Sequence, residues 1–318
     1  VATDRPGLGP AFPRVPALSL GSWNTWDRME FGDAVALIAR AAELGLAFFD
    51  VAHYDMGPHA EGSTTDQIFG RAVREAGLAR EDWLYCGKLW LWDYPNVGFA
   101  QQMNTSLERV GVESADLIVV GDYFGEVDLE RVVADVAEQR EAGRFRAWGV
   151  NNWRIDDLRK AVAIARKRGV EPPAFAQLKY GLARRSMAEG EFYAPLFASG
   201  ELTLQASDIF EGGLLVGNLR PNRKIGADVG GIREKIAAAW PAVQRIAEEL
   251  DASPAQLGIA FCLANPVTAN VLVGVSRLAQ LEDNAGALAL LERVGADRIR
   301  ELTKELWLDR AVAADGTW

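Results

Sequence analysis

The sequence predicts an α/β chain folded as one (β/α)8 TIM barrel over residues 1–318, with helices closing its C-terminal end. Short apolar runs with strand character alternate with stretches of helical spacing, which argues for a parallel sheet. Eight such units within ~300 residues fit a closed barrel better than a doubly wound sheet. The Gly-x-Gly-x-x-Gly turn that opens a doubly wound dinucleotide fold is absent, so any nucleotide must be held in another way.

The elements follow in order. Residues 1–17 are rich in Pro and Gly and read as a lid or short hairpin rather than a barrel strand. Leu18–Trp23 reads as the first strand, ending in a tight turn. Asp33 is placed as the cap of a helix whose apolar positions Val35, Leu37, Ile38, Ala41 and Ala42 keep helical spacing, with Gly45 as its stop. Ala47–Asp50 is a buried strand ending in a carboxylate, and the loop after it presents His53 and Tyr54. The alternation continues with helix 65–75, strand 83–88, helix 99–110, strand 115–120, helix 129–142 stopped by Gly143, strand 145–150, helix 155–168 and strand 175–178. Leu202–Ala206 is the seventh strand. A long connection follows, then a helix over 236–250 and another opened by Ser253-Pro254 and running to Leu263. Asn270–Gly274 is the eighth strand, and helices over 278–291 and 297–308 close the chain.

Composition narrows the function. With 49% hydrophobic residues the chain can build one large core. A net charge of −10 with no basic patch argues against nucleic acid. No apolar run is long enough for a membrane span, and Val1–Pro6 does not read as a signal peptide. Cys86 and Cys262, far apart and both in apolar segments, read as buried thiols of a reducing cytoplasm. Two histidines, His53 and His59, with no cysteine cluster make a His/Cys metal site improbable.

An acid at the C-terminal end of a barrel strand, followed by a loop tyrosine, lies where such barrels keep their chemistry. Taken alone, Asp50 could equally be a helix-capping residue and Tyr54 an incidental loop residue. Lys88, led to by an apolar strand, shifts the balance, although a surface lysine is the alternative. Trp90, Trp92 and Tyr94 then read either as an aromatic wall of the site, suited to sugars or planar metabolites, or as ordinary packing.

Five stretches in this order resemble the aldo-keto reductase superfamily over about residues 18–290. Phe49–Tyr54 is similar to its Asp-x-Ala-x-x-Tyr segment, and Cys86-Gly87-Lys88 to its strand ending in lysine. Gly143–Trp153 resembles Gly-Lys-Ile-Arg-x-Ile-Gly-Val-Ser-Asn-Phe, Gly212–Gly217 resembles Gly-Gly-Leu-Leu-Thr-Gly, and Val273–Asn284 resembles Pro-Gly-Ser-Ser-x-x-x-Gln-Leu-x-Glu-Asn. The resemblance implies reversible hydride transfer between NADP(H) and a small polar or sugar-like carbonyl or its alcohol. It implies Tyr54 as the acid/base, Lys88 as the cation that lowers the phenol's pKa, and Asp50 as the partner of Lys88. On the cofactor side it implies Gly21, Ser22 and Trp23 near the nicotinamide ribose, Asn151, Asn152 and Gln177 at the carboxamide, and Ser207, Asp208 and Gly213 along the cofactor. Gly274, Ser276, Arg277, Gln280, Asp283 and Asn284 fall at the adenosine end, where Arg277 favours NADP over NAD by pairing a 2′-phosphate.

Two departures stand out. Tyr54 lies four residues after Asp50 rather than five, with Asp55 in the fifth place, as after a one-residue loop deletion. The fourth strand runs into Gly121-Asp122 where many members of the family carry a histidine, so Gly121 is expected to open space and Asp122 to add negative charge. His53 is a candidate for the same pocket. Ser207 stands where the family has an aromatic residue under the nicotinamide, and Trp148, Trp153 or Phe210 could compensate. Two other functions stay open: a lyase, dehydratase or epimerase on the same barrel, with or without the nucleotide, and an NADP-binding regulatory or sensor protein. The oligomeric state is not legible.

Overall fold

The computed structural model describes residues 5–59, 62–220, 225–312 and 315, with only the backbone at His59. Eight parallel strands close into a barrel in sequence order: β1 Leu18–Gly21, β2 Phe48–Asp50, β3 Leu84–Leu89, β4 Leu117–Val120, β5 Ala147–Asn151, β6 Phe175–Lys179, β7 Thr203–Ser207 and β8 Thr268–Val273. The strands are short and almost wholly buried, because helices cover their outer faces and side chains fill the interior. One irregularity lies between β7 and β8. The register shifts between Leu204 and Gln205, so that Gln205 sits opposite Asn270.

The outer layer holds α1 Phe31–Glu43, α2 Thr65–Glu75, α3 Phe99–Val110, α4 Leu129–Glu141 and α5 Ile155–Arg168. Two short helices, α6 Ser186–Glu189 and α7 Ala194–Ala198, precede β7, and α8 Ile232–Ala238, α9 Trp240–Glu249 and α10 Pro254–Leu263 precede β8. The chain closes with α11 Leu278–Val294 and α12 Ala296–Leu302. Several expectations shift by a residue or two. Asp33 lies in the first turn of α1, whose N-cap is Glu30. The helix expected over 236–250 is two helices, since Pro241 has no N–H for the ladder and the chain restarts at Trp240. The last expected helix ends at Leu302 and continues as a short 3-10 turn over Lys304–Leu306. Helices α6 and α7 carry no sequence signal, because four or five residues are too few to show a period.

The N-terminal segment, expected as a lid or hairpin, forms no strand among its described residues. It makes a tight turn (Leu8 N–H to Phe12 O, 2.9 Å) and pushes Leu8 and Phe12 against Phe48, Cys86, Leu117, Val119, Ala147, Phe175 and Ala269. Thr203 Oγ1 donates to Gly7 O, and the Arg146 guanidinium lies 4.5 Å from the Phe12 ring centre. The segment therefore plugs the end of the barrel opposite the strand C-termini. Among the described residues, no helix is long and apolar enough to cross a membrane.

Candidate active site

A cavity of about 860 Å³ opens at the C-terminal ends of the strands. Parallel strands all deliver their last residues to one mouth, so Gly21, Asp50, Lys88, Asn151, Gln177, Ser207 and Gly274 meet there although they span most of the chain. Tyr54, on the loop after β2, joins them on the lining.

At the centre are Asp50, Lys88, Gln177 and Tyr54. The expected direct pairing of Asp50 with Lys88 is absent; Gln177 stands between them. Lys88 Nζ donates to Gln177 Oε1 at 3.3 Å, and Gln177 Nε2 donates to Asp50 Oδ2 at 2.8 Å. Gln177, on β6 across the barrel, bonds both groups and so links the acid of β2 to the ammonium of β3. Burial pushes the Asp50 carboxyl up from its ordinary range, against the pull of the Lys88 ammonium and the Gln177 hydrogen bond. Lys88 and Tyr54 both pack on the indole of Trp90, with Nζ 5.1 Å from the ring centre and the phenol ring 5.8 Å away, tilted. Trp90 is fixed in turn by its indole N–H, which donates to His53 O at 2.8 Å.

Trp90 also corrects the reading of Gly121. The Cβ position of Gly121 lies 2.8 Å from Cε3 of Trp90, so the end of β4 has no free space for a side chain. The Trp90 indole thus takes up the space a side chain at position 121 would enter first. Asp122, the next residue, does line the cavity, and Trp153 Nε1 pins the Gly121 carbonyl at 2.8 Å.

His53 is not on the lining of this cavity. Its side chain faces a second cavity of about 160 Å³ behind Trp90 and Lys88, with Nε2 2.7 Å from Asp55 Oδ2 and Nδ1 3.4 Å from Asp66 Oδ2. Adjacent His53 and Tyr54 thus line different cavities. Burial alone would raise the Asp66 carboxyl, but His53 and Arg109 hold it below the ordinary range. Of the expected aromatic wall only Trp90 lines the cavity. Trp92 packs at a tilt against exposed Phe124 at the rim, and Tyr94 bonds Asp135 and stacks on Phe99 away from it.

Of the residues expected along a cofactor, Gly21, Ser22, Trp23, Asn151, Asn152, Gln177, Ser207, Asp208, Gly213 and Gly274 all line the cavity. Ser22 Oγ accepts from Ala52 N and ties the first loop to the second. Asn152, with φ of 50°, accepts from Lys179 N. Ser207 Oγ is buried on the lining and has no hydrogen-bond partner among the described residues. Of the proposed compensating aromatics Phe210 lines the cavity, whereas Trp148 and Trp153 are buried elsewhere. Ser276, Arg277, Gln280, Asp283 and Asn284 lie beyond Gly274 on the next loop and α11, outside the cavity lining. Gln280 closes that loop by accepting from Ser276, and Asp283 accepts from Ser253 and Gln256 at the start of α10.

The sequence reading missed Lys179, Arg154 and the strap Ile225–Ala227, all on the lining. Lys179 had a signal: it is two residues after Gln177 on one strand and so shares its face. The strap's anchor had none. Buried Arg184 donates Nε to both oxygens of Glu211 at 2.8 and 2.9 Å, and its terminal nitrogen to Ile225 O at 3.1 Å. Burial pushes the Glu211 carboxyl up to about 7, with Arg184 pulling the other way. Among the described residues no group of His, Cys, Asp and Glu could hold a metal ion.

A sequence model of the Aldo/keto reductase family matches residues 17–304. A protein of Oryza sativa subsp. japonica named "Probable voltage-gated potassium channel subunit beta" is 27% identical over 307 residues, which is 89% of this chain and 90% of that protein. One of the same name from Arabidopsis thaliana is 25% identical over 325 residues, or 93% and 95% of the two chains. Among solved structures, an aldo/keto reductase from Klebsiella pneumoniae in complex with NADP and acetate superposes with a TM-score of 0.72 at 20% identity, over 98% of this chain and 96% of that one. A thermostable aldo-keto reductase in complex with the inhibitor epalrestat gives 0.71 at 21%, over 91% and 95%. At such identities the structural likeness is one of fold.

Proposed function

This chain belongs to the aldo/keto reductase family, and from that premise we propose that it is an NADP(H)-dependent oxidoreductase interconverting a small polar or sugar-like carbonyl and its alcohol. The observation that carries this reading is the meeting of Tyr54 and Lys88 on one indole, at the mouth of a cavity large enough for a nucleotide and a small substrate. The donor set fits the cofactor. Buried Ser207 Oγ needs a partner, Asn151 and Asn152 offer amides, and Lys179 brings a cation to the lining. When bound, NADPH supplies the hydride. Tyr54 Oη donates the proton to the oxygen of the forming alcohol. The Lys88 ammonium, held between the Trp90 face and Gln177 Oε1, stabilises the phenolate left behind. Asp50 acts on Lys88 through Gln177 rather than by contact. His53 lies outside this proton path, and Trp90 lines the cavity beside Tyr54 and Lys88.

The test is a titration with NADPH and, in parallel, NADH, followed by tryptophan quenching, and then NADPH oxidation with a panel of aldehydes and sugars. Saturable binding of NADPH with turnover of a carbonyl supports the reading; binding of neither nucleotide sinks it. A second reading rests on the names of the relatives at 27% and 25% identity: an NADP-binding regulatory subunit. A Tyr54→Phe chain that keeps full biological activity while losing carbonyl reduction would favour that second reading.

A further inference from the structure

Beneath the candidate site, three amides run in a row through the barrel. Gln177, Gln205 and Asn270 are register partners on β6, β7 and β8, and the shift at Leu204/Gln205 is what aligns the last two. Gln177 Nε2 donates to Gln205 Oε1 at 2.8 Å, Gln205 Nε2 to Asn270 Oδ1 at 2.9 Å, and Asn270 Nδ2 to Pro16 O at 2.9 Å. Ser19 Oγ also donates to Asn270 Oδ1, at 2.6 Å. Gln177 is 1% exposed, and Gln205, Asn270 and Ser19 are 0% exposed, so water offers them no alternative partner.

The row has a direction. An ammonium only donates, whereas a backbone carbonyl and a carboxylate only accept. Lys88 at the top therefore calls for the oxygen of Gln177, and Asp50 beside it calls for the nitrogen. The second hydrogen of that nitrogen falls to Gln205 Oε1, which turns the Gln205 nitrogen to Asn270 and the Asn270 nitrogen to Pro16. Turning any one amide over sets N–H against N–H or oxygen against oxygen at its joints. In a buried row each such joint is an unsatisfied polar group.

We propose that Gln205 and Asn270 are positioning residues: a polarised amide row anchored on the Pro16 carbonyl fixes Gln177 Oε1 as the acceptor of Lys88. Both hydrogens of Gln177 Nε2 are committed, so Gln177 meets a ligand only as an acceptor. The role in catalysis rests on the reading of Lys88 given above; the row itself does not.

The test reads Lys88 directly and so separates the two. The side-chain ammonium of Lys88 is followed by 15N–1H correlation in lysine-labelled protein, its signal assigned by loss in Lys88→Arg. In the unaltered chain its hydrogens should exchange slowly enough to be seen at neutral pH in the cold; an invisible, freely exchanging ammonium overturns the proposal even if no variant folds. Gln205→Met keeps length and removes both polar ends, and should speed that exchange at least tenfold. Gln205→Glu, kept neutral by complete burial, presents a carbonyl oxygen to Gln177 and an O–H to Asn270 Oδ1, and should leave it within twofold. Unchanged exchange in a folded Gln205→Met overturns the proposal, as does equal acceleration in both variants. If a carbonyl substrate is turned over, Gln205→Met should also lower kcat and move the pH profile of kcat. If no carbonyl is turned over by the unaltered chain while the exchange results hold, the row stands and the reductase reading falls.

Discussion

Trp90 does the work of several residues at once. Its ring carries Lys88 and Tyr54 on its surface and occupies the space above Gly121. A methyl group at position 121 would press on a ring that is 3% exposed and tethered through its N–H. Gly121→Ala should therefore destabilise the fold by about 1–3 kcal/mol, read by urea unfolding; a neutral result would show that the indole moves freely. Tyr54→Phe removes the one hydroxyl that the reductase reading needs. Carbonyl reduction should fall by at least ~100-fold while NADPH affinity stays within about threefold. A variant that keeps its rate would move the proton donor elsewhere.

At the scale of elements, two connections stand out, one joining α10 to α11 and one anchoring the strap on the cavity lining. The start of α10 is a capping box: Ser253 Oγ accepts from Gln256 N while the Gln256 side chain accepts from Ser253 N. Ser253 Oγ also donates to Asp283 on α11. Ser253→Ala should cost about 1–2 kcal/mol by thermal or urea unfolding, since one hydroxyl serves both helices. The strap Ile225–Ala227 is tied to the barrel by the Arg184–Glu211 pair. In the unfolded chain a glutamate releases its proton near pH ~4.3, whereas folded Glu211 holds it until about 7. Between these values the folded state binds more protons, so this group's contribution is fully present at low pH and lost as pH rises through 7. Across that window the unaltered chain should lose up to ~3 kcal/mol more stability than Glu211→Gln. Parallel stability–pH curves for the two proteins would contradict the shift.

For the whole molecule, the two ends of the barrel divide their tasks. The mouth gathers strand-end polar groups, and the base is closed by Leu8 and Phe12 against an apolar layer. Phe12→Ala removes an aromatic ring that is 5% exposed at the base. It should cost about 3–5 kcal/mol of stability with little change in NADPH affinity. A large loss of affinity at unchanged stability would mean that the two ends are coupled through the interior. The amide row runs inward from the mouth to the Pro16 carbonyl just ahead of β1.

How much of this was legible in the sequence depended on how local the signal was. The strands, most helices and their stops are written in short-range periods and punctuation, which is why α2, α3 and α5 begin and end where the spacing places them. Asp50 and Lys88 could be named because each lies at or next to the C-terminal end of a strand, and in a parallel barrel those ends share one mouth, whereas Gln177 and Ser207 were named through the resemblance of the stretches around them to the family. What the sequence could not express is which side chains touch across that mouth. Gln177 lies 127 residues from Asp50 and yet stands between it and Lys88. Trp90 fills the place at Gly121, His53 turns behind the wall, and Arg184 reaches the strap. These contacts leave no pattern along the chain, because they follow from barrel closure, side-chain length and the register of strands far apart in sequence. The sequence by itself determined the barrel and the residues delivered to its open end; only the tertiary structure decided their partners, since partners are chosen by reach and direction in space.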